Sequence, residues 1–139
     1  MAEHTDPRVT AVVRLLEAYR AGNLQSMQHW MSVEVRLEAV GDNPLSGTYE
    51  GMGGVLAFIG RSTQTFATDT VKIEEVSPVG DEIHVVVAGD VMLRDGRTEG
   101  VRILQRYRFG GDGKVASIMA EAADDPEEFD RLLGEAKGT

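Results

Sequence analysis

The sequence predicts an α+β domain in which a curved antiparallel sheet wraps around N-terminal helices and a further helix closes the C-terminus. Three observations predict it. Apolar residues recur at helical spacing near both ends of the chain. Between them, segments of alternating apolar and polar residues are joined by short turns, as in an antiparallel meander. Finally, a turn-rich loop over 41–51 leads into a helical run over 52–61, and a helix placed on a curved sheet in this way builds a cup.

Bulk composition narrows the classes of protein to consider. With 139 residues and no repeat or linker, the chain suits one domain over 1–139, with a core over about 9–124 and a last helix over about 125–136. A formal net charge of −9 argues against a nucleic-acid partner. The absence of cysteine excludes disulfides and thiolate chemistry. A polar, acidic N-terminus and the lack of a long apolar run favour a cytoplasmic protein with no membrane partner.

The N-terminal helices are predicted by their ends. Asp6 is a good cap, and Pro7 follows where its missing N–H costs nothing. Gly22 ends this first helix, and Asn23 caps a second, short one. The segment 33–40 then alternates as the first strand.

The third helix, over 52–61, contains Gly53, Gly54 and Gly60, each of which costs about 1 kcal/mol relative to alanine, so tertiary packing must hold it. After it come four predicted strands, over about 70–77, 83–94, 97–109 and 114–123. Asp125 and the proline and acids after it start the last helix.

The turns of the meander decide which side chains face the cup. If Asp95-Gly96 is a two-residue loop, Arg94 pairs with Arg97, and a four-residue loop over 110–113 pairs Phe109 with Lys114. On these registers one face of the sheet is an apolar, small-residue floor. The predicted interruptions of this floor are His84, Asp90, Gln105 and Tyr107, with Glu99 and Asp124 at one end.

The opposite face is predicted to carry an apolar row rimmed by arginines. Its members are Val85, Val87, Val91, Leu93 and Leu104, with Arg102, Arg106, Arg108 and Glu121. An apolar row rimmed by charge is typical of a subunit interface. We therefore expect a homodimer through the outer sheet face.

Four segments in this order resemble the SnoaL-like group of the nuclear-transport-factor-2-like superfamily. They are Gly41-x-Asn-Pro-Leu-Ser-Gly-x-Tyr-x-Gly, Val55–Arg61, Arg94-Asp95-Gly96-Arg97 and Asp112-Gly113-Lys114-Val115. The resemblance runs from about Val9 to Leu133. It implies a cone-shaped α+β barrel and a cofactor-free protein. Members include ketosteroid isomerases, polyketide cyclases, epoxide hydrolases and dehydratases, besides many proteins without known activity.

The resemblance also assigns roles to positions of this chain. It places Glu38, or Asp42 if the loop slides, where ketosteroid isomerases have their basic aspartate. It places Gln105 at the position of their oxyanion-hole aspartate. The tyrosine in the first helix of those enzymes falls near Leu15, so this chain has no residue for that role there. The arginine and aspartate constellation of limonene epoxide hydrolases is not reproduced, whereas the aspartate that closes the last strand is retained as Asp124.

Asp90 and Glu38 are the candidate catalytic carboxylates. On the predicted register Asp90 faces the apolar floor, where desolvation raises a carboxyl pKa towards the range of a general acid or base. The alternative is a bulge that turns Asp90 outward beside Gly89. For Glu38 the alternative is the solvent side of its strand.

Six further residues are candidate ligand contacts. Gln105 and Tyr107 would orient the polar end of a ligand, and alternatively Gln105 bonds Tyr107 or a buried water. Trp30 and Met92 would be apolar contacts, and the alternative for both is packing in the core. Tyr49 would lie at the cavity mouth, or else pack on Pro44 in the turn. Asp124 would contact the ligand at the rim, or else be a solvated rim residue.

Together these features predict a domain that binds a small apolar or polycyclic molecule without a cofactor. An acid/base step such as isomerisation, cyclisation, dehydration or epoxide opening would follow binding. The competing hypothesis is a non-catalytic ligand-binding or dimerisation module. The histidines show no metal-ligand spacing, so no metal site is predicted.

Overall fold

The computed structural model describes residues 6–137, apart from the side chain of Thr68. The ends of the predicted domain, 1–5 and 138–139, lie outside the described residues. The elements in chain order are α1 Pro7–Ala21, α2 Leu24–Trp30, β1 Met31–Ala39, β2 Gly47–Glu50, α3 Gly51–Thr65, β3 Phe66–Val79, β4 Glu82–Met92, β5 Thr98–Phe109, β6 Val115–Ala122 and α4 Pro126–Gly134. None of the helices in this part of the chain has the length and apolar character needed to cross a membrane.

The six strands form one curled sheet in the order β2-β1-β6-β5-β4-β3. The predicted α+β class and the meander from β3 to β6 are confirmed. One pair departs from the predicted antiparallel sheet, because β6 returns alongside β1 and runs parallel to it. The predicted turn-rich loop also contributes a strand, since its end forms β2 and pairs with β1.

Helix α1 lies in the curl of the sheet and begins and ends where its caps predict. The Asp6 carboxylate accepts a hydrogen bond of 2.9 Å from the N–H of Arg8, and Gly22 ends the helix at a φ of 70°. Val12 and Leu15 are buried against the β4 residue Val85 in the main core. This packing turns one side of α1 towards the concave face of the sheet.

Helix α4 closes one end of the curl. Asp125 caps it by accepting hydrogen bonds from the N–H groups of Glu127 and Glu128. Its apolar face then joins a second core cluster, which contains Phe129, Leu132 and Leu133 together with Leu45, Phe66, Val91 and Leu93. The helix therefore seals the sheet end at which β4 turns into β5.

The predicted register between β4 and β5 was wrong by one residue. Leu93 donates to the carbonyl of Arg97 at 2.9 Å and Gly96 donates back to Leu93 at 3.0 Å, so the loop has three residues and Gly96 takes a φ of 93°. Asp90 consequently pairs with Gly100 instead of Val101. Because strand residues alternate sides, a slip of one exchanges the two faces of β4.

The concave face of β4 therefore carries Ile83, Val85, Val87 and Val91, which are buried, whereas Val86, Ala88 and Asp90 belong to the convex face. The predicted outer apolar row was wrong for Val85, Val87, Val91 and Leu93, which are buried in the two core clusters, whereas Leu104 does lie on the convex face. Between β5 and β6 the predicted pairing was displaced by two residues, and Gln105 pairs with Ala120 instead of Ile118. One residue of this displacement arises in the turn, since Phe109 pairs with Val115 instead of Lys114, and a bulge between Arg108 and Phe109 adds the second. A displacement by two residues leaves every side chain on its predicted face of the sheet, so Gln105 and Tyr107 still point into the curl.

Candidate ligand-binding site

A cavity of about 150 Å³ lies between the concave face of the sheet and the helices α1 and α3. Its wall is mostly aliphatic and aromatic. The main wall residues are Leu15, Val55, Phe58, Val87, Ile103 and Ile118, drawn from α1, α3, β4, β5 and β6. An apolar hollow with few polar groups is the usual form of a small-molecule site.

Two polar residues of β5 line this cavity side by side. The Tyr107 hydroxyl donates a hydrogen bond of 2.6 Å to Oε1 of Gln105. With its oxygen engaged, the Gln105 amide keeps both of its N–H donors for another partner. Both residues were candidate ligand contacts, and the structure brings them together; the predicted pairing of Tyr107 with His84 was wrong, because His84 lies opposite Arg106.

Tyr19 of α1 lies near this pair. Burial raises the pKa of the Tyr19 hydroxyl above its ordinary value. Burial also raises the pKa of Tyr107, and the neighbouring Tyr19 hydroxyl raises it further. Both phenols therefore stay protonated at neutral pH and act as hydrogen-bond donors, not as bases.

Ser62 of α3 is the third polar feature of the wall. The residue is only 8% exposed, and its Oγ has no hydrogen-bond partner among residues 6–137. An unsatisfied buried hydroxyl costs about 1–3 kcal/mol. Sequence analysis missed both Ser62 and Tyr19, although Ser62 lies seven residues after the buried Val55 and Tyr19 lies four after the buried Leu15, which is helical spacing.

The two candidate catalytic carboxylates lie outside the cavity. Asp90 is half-buried on the convex side, its carboxylate directed towards Gly100 and its N–H bonded to Oγ1 of Thr70 at 2.9 Å. Its predicted position on the concave floor was wrong because the turn is longer by one residue. Glu38 is exposed in a separate groove of the convex face beside Arg36 and Arg106.

The four other candidate contacts do not line the cavity. Tyr49 donates a hydrogen bond of 2.8 Å to the carbonyl of Leu45, and its ring meets the ring of Phe58 edge-on at 5.1 Å, so it supports the wall from behind. Trp30 packs against the main core. Met92 is half-buried at the end of β4, and the exposed Asp124 forms an ion pair of 3.1 Å with Arg102.

The cavity contains one carboxylate-bearing residue among the described residues, Glu121, and that carboxylate is engaged elsewhere. Its Oε1 lies 2.5 Å from Nη2 of Arg106, a convex-face residue of β5. Over residues 6–137, no three His, Asp or Glu side chains come together as a metal site would require. The arrangement thus offers hydrogen-bond donors to a ligand oxygen inside an apolar wall.

The curled sheet and the helix laid across it have the fold of solved NTF2-like proteins. The chain belongs to the SnoaL-like domain family, which matches residues 12–118. No curated protein matches the chain significantly.

Solved structures share the fold over nearly the whole chain. An NTF2-like protein of unknown function from Burkholderia pseudomallei is 22% identical, with a TM-score of 0.74 over 93% of this chain and 98% of that one. TerC, co-crystallized with polyporic acid, is 18% identical, with a TM-score of 0.73 over 92% and 98% of the two chains. A Mycobacterium tuberculosis protein in complex with estradiol-17beta-hemisuccinate is 22% identical, with a TM-score of 0.67 over 88% and 98%.

Proposed function

We propose that this protein binds a small, mostly apolar ring compound that carries at least one oxygen atom. The observation that carries the proposal is the unpartnered hydroxyl of Ser62 in a cavity that also contains the spare N–H donors of Gln105. A buried polar group without a partner destabilises the empty protein. A ligand oxygen would supply the missing partner, while the rings replace water against the apolar wall.

The size of the cavity limits the part of the ligand that is enclosed. About 150 Å³ resembles the volume of an engineered apolar cavity that binds benzene. We therefore infer that one or two rings lie inside and that any larger portion extends through the mouth. The ring compounds bound to TerC and to the Mycobacterium tuberculosis protein, polyporic acid and an estradiol ester, support this class of ligand.

Acid/base catalysis, the other function considered for this chain, has less support from the geometry. Gln105 could polarise a ligand carbonyl, as an oxyanion-hole donor does. Proton abstraction also needs a base within hydrogen-bond reach of the substrate. Asp90 and Glu38 lie on the convex side and Glu121 is bonded to Arg106, so none of the described residues fills this role in the cavity. We infer a binding protein.

The binding proposal is tested with 2-acetylnaphthalene and 2-ethylnaphthalene, which differ in one carbonyl oxygen. Isothermal titration calorimetry should show saturable binding of both and about threefold to tenfold tighter binding of the ketone, because one hydrogen bond contributes about 0.5–1.5 kcal/mol. Ala120→Leu, which fills part of the cavity from β6, should weaken both by about tenfold or more.

Ala57→Leu is the matched control, because Ala57 is exposed on α3 and does not line the cavity. Its affinities should equal those of the wild type. If Ala120→Leu does not fold, Ala39→Leu on β1 blocks the same cavity from another strand. Equal binding by a folded cavity-filling variant and the wild type would place the ligand elsewhere and overturn the proposal.

We also propose that the protein forms a homodimer through the convex face of the sheet. Val86 of β4 and Leu104 of β5 pair on that face, and both are only half-buried in the single chain. A second copy would cover this apolar pair.

A further inference from the structure

Tyr107 is a buried phenol whose hydroxyl donates its proton to a single group. The residue is only 3% exposed, and its neighbours across β4 and β6 are the apolar Ile83 and Ile118. Among the described residues its hydroxyl forms one hydrogen bond, of 2.6 Å, to Oε1 of Gln105. Burial raises the pKa of Tyr107, so the proton stays on the phenol. Because a buried O–H without an acceptor is costly, this bond keeps the amide oxygen facing Tyr107.

The held amide oxygen decides what Gln105 presents to the cavity. Gln105 is half-buried, and its neighbours across the sheet, Val85 and Ala120, have no side-chain atom that accepts a hydrogen bond. With Oε1 engaged by Tyr107, the free end of the amide is its NH₂ group, which only donates. This position therefore complements a ligand atom that accepts hydrogen bonds and leaves a ligand donor without a partner.

The other uncharged polar groups of the wall do not make this choice. The hydroxyls of Ser62 and Tyr19 can both donate and accept, so either kind of ligand group suits them. The Asn43 amide is engaged at both ends, since its Oδ1 accepts from the N–H of Leu45 at 2.9 Å and its Nδ2 donates to Asp130 at 2.7 Å. Discrimination between donors and acceptors therefore rests on the amide of β5.

We propose that Tyr107 is a positioning residue that makes the site selective for a ring compound whose polar group only accepts hydrogen bonds, such as a ketone, quinone or lactone carbonyl. This inference rests on the proposed binding function and specifies the polar group of the ligand. Without the Tyr107 hydroxyl, the Gln105 amide would be free to turn by about 180° about its last side-chain bond, which has a broad, roughly two-fold profile. It would then offer its oxygen to a donor ligand.

The test compares three compounds that share one frame of two fused rings. In 1-indanone the frame carries a carbonyl acceptor, in indole it carries an N–H donor, and indane has neither. Their affinities are measured by titration followed in the NMR spectrum of the protein. The selectivity is the affinity for 1-indanone divided by the affinity for indole. Since the hydration of each free compound is the same in every titration, it cancels when the selectivities of two protein variants are compared.

Tyr107→Phe should lower this selectivity by about threefold to tenfold, because indole gains a hydrogen bond to the turned amide that the wild type does not offer. Its affinity for indane should stay within about twofold of the wild-type value, since indane uses no hydrogen bond. A merely structural role of the hydroxyl would change the affinities for all three compounds together and leave the selectivity as it was.

Tyr49→Phe is the matched control. It also removes a tyrosine hydroxyl, which donates to a backbone carbonyl at 2.8 Å, and Tyr49 does not line the cavity. Its selectivity should equal that of the wild type. If Tyr107→Phe does not fold, the wild type provides a second measurement. The side-chain amide protons of Gln105, assigned by their loss in Gln105→Leu, should move downfield with 1-indanone bound and not with indole bound.

The outcomes separate this inference from the binding proposal beneath it. Binding of indane and 1-indanone with an unchanged selectivity in Tyr107→Phe would overturn the positioning role and leave the cavity as a binding site. An equal loss of selectivity in Tyr49→Phe, or equal downfield shifts with indole and 1-indanone, would also overturn it. Failure of all three compounds and of both naphthalenes to bind the wild type would overturn the binding proposal itself.

Discussion

At the Ser62 side chain, one hydroxyl group has opposite effects on the empty and the occupied protein. In the empty cavity its Oγ is buried without a partner among residues 6–137, which costs stability. In the proposed complex a ligand oxygen would supply that partner. A buried polar group without a partner calls for such an explanation.

The Ser62→Ala variant should therefore unfold at a higher denaturant concentration than the wild type in the absence of ligand. We expect a gain of about 1 kcal/mol, because the variant removes an unsatisfied polar atom and alanine favours the helix. Urea unfolding followed by circular dichroism measures the difference.

Thr65→Val on the same helix is the contrasting control for Ser62→Ala. Thr65 is 4% exposed, but its Oγ1 donates to the carbonyl of Arg61 at 3.1 Å, so replacing it should cost about 1 kcal/mol. If Ser62→Ala loses as much stability as Thr65→Val, the Ser62 hydroxyl has a partner and the argument from its isolation fails.

At this scale the sequence predicted some of the site and missed the rest for identifiable reasons. Gln105 and Tyr107 were correctly predicted on the concave floor, because the pairing of β5 with β6 was displaced by two residues and a displacement by two leaves each side chain on the same face. Asp90 was misplaced because its face depends on the length of one turn. Ser62 and Tyr19 were not named as site residues, although their helical spacing from buried residues was readable in the sequence.

At the scale of the element, α3 is a helix weakened by glycine and held by packing. Its glycines are not equivalent. A Cβ at Gly60 would meet nothing within 4 Å, whereas a Cβ at Gly54 would lie 2.9 Å from the carbonyl carbon of Tyr49. Only at Gly54 does the close approach of the preceding strand require the absence of a side chain.

Gly60→Ala should therefore raise the free energy of unfolding by about 0.5–1 kcal/mol, because alanine restricts the unfolded chain and adds no clash. Gly54→Ala should lower it by about 1–3 kcal/mol, because the chain must shift away from Tyr49. Thermal unfolding of the two variants measures both changes. A gain of stability for Gly54→Ala would show that α3 and β2 are further apart than described.

The β4–β5 hairpin shows why elements were easier to predict than the contacts between them. Strand and helix identities follow from periodicity, and the caps at Asp6, Gly22 and Asp125 placed three helix ends correctly. The dipeptide Asp95-Gly96 is compatible with a two-residue loop and also with a three-residue loop that ends in a left-handed glycine. Tertiary packing of Val85, Val87 and Val91 against α1 and α4 selected the second.

At the scale of the whole molecule, the protein buries one sheet face within the chain and leaves the other partly apolar. The concave face supplies the core and the cavity wall. The convex face presents Val86, Leu104 and Met119, each half-buried, among ion pairs such as Arg106 with Glu121. These three residues form the apolar row of the convex face, which shares only Leu104 with the row predicted from the sequence, and an apolar row bordered by charge supports the proposed subunit interface.

The proposed homodimer should therefore depend on the apolar row and not on exposed apolar residues elsewhere. Leu104→Lys introduces a charge into the row and should weaken the dimer by about 30-fold or more, as loss of an interface hot spot does. Leu24→Lys is the matched control, because Leu24 is 47% exposed on α2, away from the sheet. Sedimentation equilibrium at micromolar concentrations should show dimers for the wild type and for Leu24→Lys, and monomers for Leu104→Lys. A wild type that sediments only as a monomer, or equal weakening by both substitutions, would contradict an interface on the convex face.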